Sequence, residues 1–457
     1  MNTSIVEYGA VCDGKTDDTV AIQAAIRAVG DNGGGTVVVP GGRSTVCGQI
    51  RLVSGVELHL AGGSLLLASS DPDRYGSEGF GCVIETWGAD HCAITGTGTI
   101  DGRGIDYMRG DLTYIFEPAP WRPRLVGFVD CRHLTIRDVT FRDSPNWTLH
   151  LVGCEHVTIA GVTIDNNTKI PNCDGIDPDH CRHVTISDCR IKAGDDGIVL
   201  KNTKEFSDRG PCEDISITNC QIESTSAAIK IGSESVSDFR RITITGCIIR
   251  SSHRGIAVQL RDQGNVSDLL ISGCIIETRL FEDHWWGKAE PIYITAVHRF
   301  GSEMDRAGFG PPAWNPANGL GSISRVQVSN LMARGENGVV LYGTRRADGS
   351  STIQDISFSN CRFEVLKTSR WGAGRIDIRP FDTLGPGFRD PGKDPGLVDA
   401  PFAGVSLTAA DSVRLKDCEV RLTGPLPDGY GDVIQVHDCD LFDVDGCRKY
   451  DRRDPPG

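Results

Sequence analysis

Eight segments of the chain are copies of one short template: "HLTIRDVTF", "HVTIAGVTI", "HVTISDCRI", "DISITNCQI", "RITITGCII", "LLISGCII", "DISFSNCRF" and "SVRLKDCEV". Their equivalent positions are Val139, Val162, Cys189, Cys220, Cys247, Cys274, Cys361 and Cys418, and a ninth copy, "RVQVSNLMA", falls at Leu331. The spacings are 23, 27, 31, 27, 27, 57, 30 and 57 residues, and each 57 reads as two turns of the same repeat. Inside a copy apolar and polar residues alternate with period two, and Asn, Gly or Asp stands at the joint. A repeat near 27 residues is too short for two packed helices but holds three strands and three turns. This predicts an all-β chain, a parallel β-helix forming a single domain over 1–457.

Stacked rungs bring equivalent residues about 4.8 Å apart. The recurring cysteines then form an interior ladder of small apolar groups, so the 17 cysteines are expected to be reduced and buried rather than bridged. No CxxC motif suggests a metal site. The open end of a solenoid needs a cover, and "DDTVAIQAAIRAV" (17–29) is read as a capping helix: Asp17 or Asp18 at its start, and Val20, Ile22, Ala25, Ile26 and Val29 on one apolar face. Segments 299–320 and 366–401, rich in Gly and Pro, are read as loop insertions, and 451–457 as a frayed tail.

The net charge of −14 disfavours nucleic acid and a long polyanion. No run approaches the roughly 20 apolar residues of a membrane span. The start "MNTSIVEYGAVCDGKTDD" has neither a basic nor an apolar leader region, which predicts a cytoplasmic location unless a leader preceded it. Nothing bears on oligomeric state.

Against this background "NCDGIDPDHCRHVTISDCRIKAGDDGIVLK" (172–201) is unusual, because it places acids where strands are being written. Asp174 and Asp195 are 21 residues apart, roughly one rung, so Asp174, Asp195 and Asp196 are expected on neighbouring levels of one face. Repulsion and partial burial would leave one carboxyl holding its proton and another ionised, as glycoside hydrolysis requires. Asp177 and Asp179 are read chiefly as turn-capping residues. His253 and Arg254 are candidates for substrate contact. "HWWGKAEPIYITA" offers His284, Trp285, Trp286, Lys288 and Glu290 either as a sugar-stacking wall or as packing beneath a loop.

These residues carry a resemblance. "NCDGID" and "GDDGIVLK", with "YGAVCDGKTDDTVAIQAAI", "GGGTVVVPGG", "GTGTIDGRG" and "DSPNWTLHLVGC" in this order, resemble the polygalacturonase family of glycoside hydrolases (family 28), within the pectin-lyase-like superfamily. The resemblance implies a right-handed parallel β-helix that hydrolyses α-linked uronic-acid polymers with inversion and without metal or cofactor. It implies Asp195 as general acid, Asp174 and Asp196 holding the water, and Asn172 and Lys201 beside the substrate. Three basic positions differ. Ala227 stands at the family's histidine, and "GIAVQL" replaces Arg-Ile-Lys, putting Ala257 and Gln259 at the two cations. Lys230, Arg254 or Arg261 could substitute. Rhamnogalacturonan-cleaving relatives also lack the histidine and keep an Asp-Gly-x-Asp pattern, matched here through Asp177, so a different saccharide is expected. The leading expectation is an exo-acting glycosidase on oligosaccharides. A β-helix lyase, an intramolecular glycosyl (fructo)transferase and a noncatalytic carbohydrate-binding solenoid are the alternatives.

Overall fold

The computed structural model describes residues 1–76, 79–281, 287–298, 319–378 and 397–453. These form two compact units, Met1–Val199 and Leu200–Gly457. Each is a right-handed parallel β-helix in which successive strands of the chain go in turn to three stacked sheets.

A single rung shows the local logic. In the first unit Glu155–Ala160, Thr163–Asp165 and Ile176–Asp179 lie on three sheets, and Arg182–Ser187 returns to the first. Between the first two strands of a rung the chain bends at one residue of positive φ: Asp138 (64°), Gly161 (66°) and Asp188 (57°) in this unit, Asn219, Gly246, Gly273, Asn330, Asn360 and Asp417 in the other. Asn, Asp and Gly tolerate the left-handed region, which is why the template carries them at its joint. Parallel register then stacks like on like. Leu134, Val157 and Val184 form one inward column, and Ile136, Ile159 and Ile186 the next. All are buried.

All 17 cysteines are free, and 15 are buried. Besides the expected column there is a second, Cys131, Cys154 and Cys181, at the start of the strands of the first sheet, with each thiol turned to a main-chain carbonyl. Burial pushes the Cys154 thiol well up.

Both 57-residue spacings are corrected by strand pairing. Val266–Ser272 pairs directly with Ile323–Ser329, and Ile353–Ser359 directly with Ala410–Lys416. Each gap is therefore one rung carrying an insertion, not two rungs. Most of the two insertions, 299–318 and 379–396, lies outside the described residues. The described part of 366–401 includes an antiparallel pair, Arg375–Asp377 with Leu397–Asp399. Of the segment read as a frayed tail, Asp451 and Arg452 instead close the strand Arg448–Arg452, paired with Glu419–Thr423, and 454–457 lie outside the described residues.

The helix runs Thr19–Asp31 and buries Ala21, Ile22, Ala25, Ile26 and Val29 against the first strands, about 1.5–3 kcal/mol for each large side chain. Val20 points to solvent at 83% exposure, and Ala21 takes its place on the apolar face. Asp17 accepts from the Thr19 amide at 2.9 Å, whereas the Asp18 carboxylate accepts from the Val11 and Cys12 amides. Among the described residues no helix is long and apolar enough to cross a membrane.

Candidate active site

In the first unit two turns are stacked one rung apart. The Gly175 amide donates to the Asp196 carbonyl at 2.9 Å and the Ile176 amide to the Gly197 carbonyl at 3.0 Å, which holds "CDG" directly against "DDG". Glycine is required there: a Cβ on Gly175 would meet the Gly197 oxygen at 2.3 Å, and one on Gly194 would meet Cys173 Sγ at 2.7 Å. Asn172 enters this turn with φ 55°.

The consequence is convergence. One carboxylate oxygen from each of Asp174, Asp195 and Asp196 lies within 4.8 Å of the other two, and the three residues are only 2%, 6% and 2% exposed. These oxygens form a hard acidic cluster that could also hold a cation.

A cation from the chain itself stands beside them. Half-buried Arg122 donates to the carbonyls of Pro145 (2.7 Å) and Pro171 and to Asn172 Oδ1 (2.7 Å). Burial pulls its pKa down, and the negative fields of Asp174 and Asp195 act against that; a guanidinium stays charged in either case. Arg122 escaped the reading of the sequence because it sits in "PWRPR", a proline-flanked stretch whose only signal is its place about two rungs upstream. Asn166 is a further support. It accepts from the Ser144 amide and donates to Thr148 Oγ1 and to the Cys173 carbonyl.

Asp177 and Asp179 are not turn residues. Both belong to the buried strand Ile176–Asp179. Asp177 is in register with His150, and Asp179 lies 3.3 Å from His150 Nε2 and 3.7 Å from His180 Nε2. His150 contacts Arg124 at 2.6 Å, and that guanidinium lies over the rings of Phe80 and Trp147.

The remaining expected residues belong to the second unit. Lys201 is buried at the strand Ile198–Asn202. Half-buried Lys230 is in register with Ala257, and Ala257 with Tyr293. Ala227 and Ala257 pack with Tyr293 and Val340 in one apolar cluster. Gln259 is half-buried beside Thr295. Buried Arg254 is committed elsewhere: its Nε lies 3.1 Å from Glu290 and its NH2 3.2 Å from Asp377, with the guanidinium 3.8 Å above the Tyr293 ring. Burial opposes that charge, but Glu290, Tyr293 and Asp377 hold it above its usual value. Arg254 and Glu290, expected at substrate, are thus partners of one another. The Arg261 guanidinium turns to Leu260 O and Thr295. His253 is buried against Phe281, and Lys288 is buried with its amide on Glu290. His284, Trp285 and Trp286 lie outside the described residues.

The fold and this cluster define a β-helical protein with a three-carboxylate centre. Residues 33–269, more than half of the chain, match the model of glycosyl hydrolases family 28, and the chain belongs to that family. It is 33% identical over 229 residues to a "Probable polygalacturonase" of Vitis vinifera (44% of each chain) and 26% identical over 267 residues to an "Exopolygalacturonase" of Zea mays (50% of this chain, 61% of that one). The chain thus spans less than two thirds of the length of either relative. In fold it is similar to an exopolygalacturonase of Thermotoga maritima (TM-score 0.64, 22% identity, 80% and 88% covered). A family 28 exopolygalacturonase of Yersinia enterocolitica is also similar (TM-score 0.67, 13% identity, 98% and 78% covered).

Proposed function

We propose that this chain is an exo-acting glycosidase that hydrolyses α-linked oligosaccharides with inversion at Asp174, Asp195 and Asp196. The observation that carries the reading is the convergence of three buried carboxylate oxygens within 4.8 Å. Three like charges in one buried place are not all ionised, so a proton is retained among them. Asp195 gives that proton to the departing glycosidic oxygen, and Asp174 and Asp196 orient and deprotonate the attacking water. A water bonded at about 2.8 Å to two oxygens, with a tetrahedral angle between the bonds, holds them about 4.6 Å apart. Oxygens lying within 4.8 Å of one another admit that arrangement. It is tighter than the roughly 6.5–9.5 Å usual for a two-carboxylate inverting pair, so the anomer of the product is the deciding measurement.

The sugar at the reactive subsite is read as one not gripped by paired cations, because alanines in an apolar cluster fill two of the three positions at which relatives carry basic residues. Exo action is supported by the likeness to relatives named exopolygalacturonases. Seventeen free cysteines favour a reducing compartment.

The test is a panel of α-linked uronic-acid, rhamnogalacturonan-derived and neutral oligosaccharides, with the first product followed by NMR. The inverted anomer, released from the chain end, is expected. Asp195→Asn and Asp196→Asn should each lose on the order of 10²–10⁴-fold in kcat with unchanged circular dichroism. Retention of configuration, an unsaturated product absorbing in the ultraviolet, a transglycosylated product, or binding without turnover would each overturn it.

A further inference from the structure

Away from the aspartates, the outer face of the first unit carries a column of histidines. His91, His133, His156 and His183 stack ring on ring, with centroids 4.4, 5.1 and 4.8 Å apart. Each has φ between 53° and 57°, at the turn that opens a strand of the first sheet, so the backbone aims every ring alike. In the second unit the same turn position is filled by Asp214, Arg241, Asp268 and Arg325, which form exposed pairs of opposite charge, Arg241 with Asp214 and Arg325 with Asp268. Opposite charges are the cheap way to stack ionisable side chains at one rung spacing.

At one end the column meets a carboxylate. Asp90 Oδ1 lies 3.0 Å from His91 Nδ1 and 2.7 Å from His133 Nδ1, and one donor atom from each of the three residues lies within 4.8 Å of the others. Ligands disposed tetrahedrally about an ion bound at roughly 2.0–2.1 Å are separated by about 3.3 Å. The side chains are near that spacing already, and the backbone holds them there: the His91 amide donates to the Arg132 carbonyl and the Arg132 amide to the Ala89 carbonyl, both at 3.0 Å. The Asp90 amide is tied to Ser54 Oγ at 3.0 Å. The neighbouring cation Arg132 is turned to Glu155 at 3.4 Å, which lessens its repulsion of an incoming ion. The carboxylate of Asp90 and both rings are about half exposed or more, leaving room for water to complete the coordination sphere.

We propose that Asp90, His91 and His133 form a binding site for one first-row divalent transition metal, of the zinc class. Two imidazoles and one carboxylate suit zinc, nickel or copper over calcium or magnesium. On binding, both Nδ1 atoms serve as ligands and each ring keeps its proton on Nε2. The site is separate in residues and chemistry from the aspartate cluster and does not rest on the proposed hydrolysis.

The test is calorimetric titration of the full chain, stripped with chelator, with zinc chloride near neutral pH. Wild type should bind zinc with a micromolar component of one equivalent. His133→Ala and Asp90→Ala should each weaken that component by at least about 10-fold, while His183→Ala, at the far end of the column, leaves it unchanged. All of these side chains are exposed, so the variants fold. Wild type binding no zinc up to 1 mM, at a ratio of about 1000 to the expected dissociation constant, or His133→Ala binding as wild type does, would overturn the proposal.

Discussion

Replacing Arg254 with methionine separates two roles for a buried cation. The side chains of Arg254, Glu290 and Asp377 are 3%, 0% and 2% exposed, and the guanidinium lies 3.1 Å and 3.2 Å from the two carboxylates. It also donates to the Asp377 carbonyl at 3.1 Å. Methionine fills similar volume and keeps a contact with Tyr293, so the loss is electrostatic. Two carboxylates are left without their cation, and breaking a buried pair from one side costs about 3–5 kcal/mol. With a urea m-value of roughly 3 kcal/mol per molar, the midpoint should fall by about 1–1.7 M. A solenoid can lose one rung before the rest, so hydrogen exchange at Ile256–Leu260 is the local readout, and protection there should drop with the midpoint. Arg254→Lys should recover less than half of the loss, because a single ammonium does not span both carboxylates. The triple change Arg254→Met, Glu290→Gln, Asp377→Asn should cost less than Arg254→Met alone. A midpoint for Arg254→Met within about 0.3 M of wild type, with KM raised, would refute the reasoning and return Arg254 to the substrate.

Gly175→Ala should uncouple the two stacked aspartate turns, since its Cβ would meet the Gly197 oxygen at 2.3 Å; hydrolysis should fall at least about 10²-fold with the fold retained, and unaltered kcat would count against the stacked geometry. In the native protein a thiol reagent should titrate at most Cys439 and Cys447, the two thiols that are not fully buried, and in denaturant all 17; rapid native reaction of more would contradict the interior columns. Burial alone would raise the Glu336 pKa, but the Lys367 ammonium and the Ser369 hydroxyl hold it below its usual value. A lowered folded-state pKa contributes stability above the unfolded value near 4.5 that is lost as pH falls through the folded value. Thermal melts of wild type should therefore decline below about pH 5 more steeply than those of Glu336→Gln.

Much of the fold was legible because the β-helix repeats its chemistry. An Asn, Asp or Gly joint recurs wherever the backbone must turn left-handed, and an apolar residue wherever a column points inward. Spacing alone failed where an insertion is about as long as a rung. Nothing in 57 residues distinguishes two turns from one turn carrying a loop, and only the pairing of Val266–Ser272 with Ile323–Ser329 decides it. Charged residues failed for another reason. Arg254 in "HRGIAVQL" has no visible partner nearby, and Asp377 lies 123 residues further on. Asp177 and Asp179, either side of Pro178, look like turn chemistry, yet both lie in the buried strand Ile176–Asp179, with His150 and His180 standing beside Asp179.

The aspartate site was legible where Arg254 was not, and the difference is one of order along the chain. Asp174 and Asp195 meet through a single rung, so their separation reports directly on the geometry that joins them, and Gly175, Gly194 and Gly197 mark the close approach of backbones that the meeting requires. Contacts between a rung and an insertion carry no such period, because an insertion can lengthen without disturbing the register on either side of it, as the direct pairing of Ile353–Ser359 with Ala410–Lys416 across an insertion demonstrates. In this architecture the repeat therefore fixes where carboxyls converge, and an insertion leaves that register untouched.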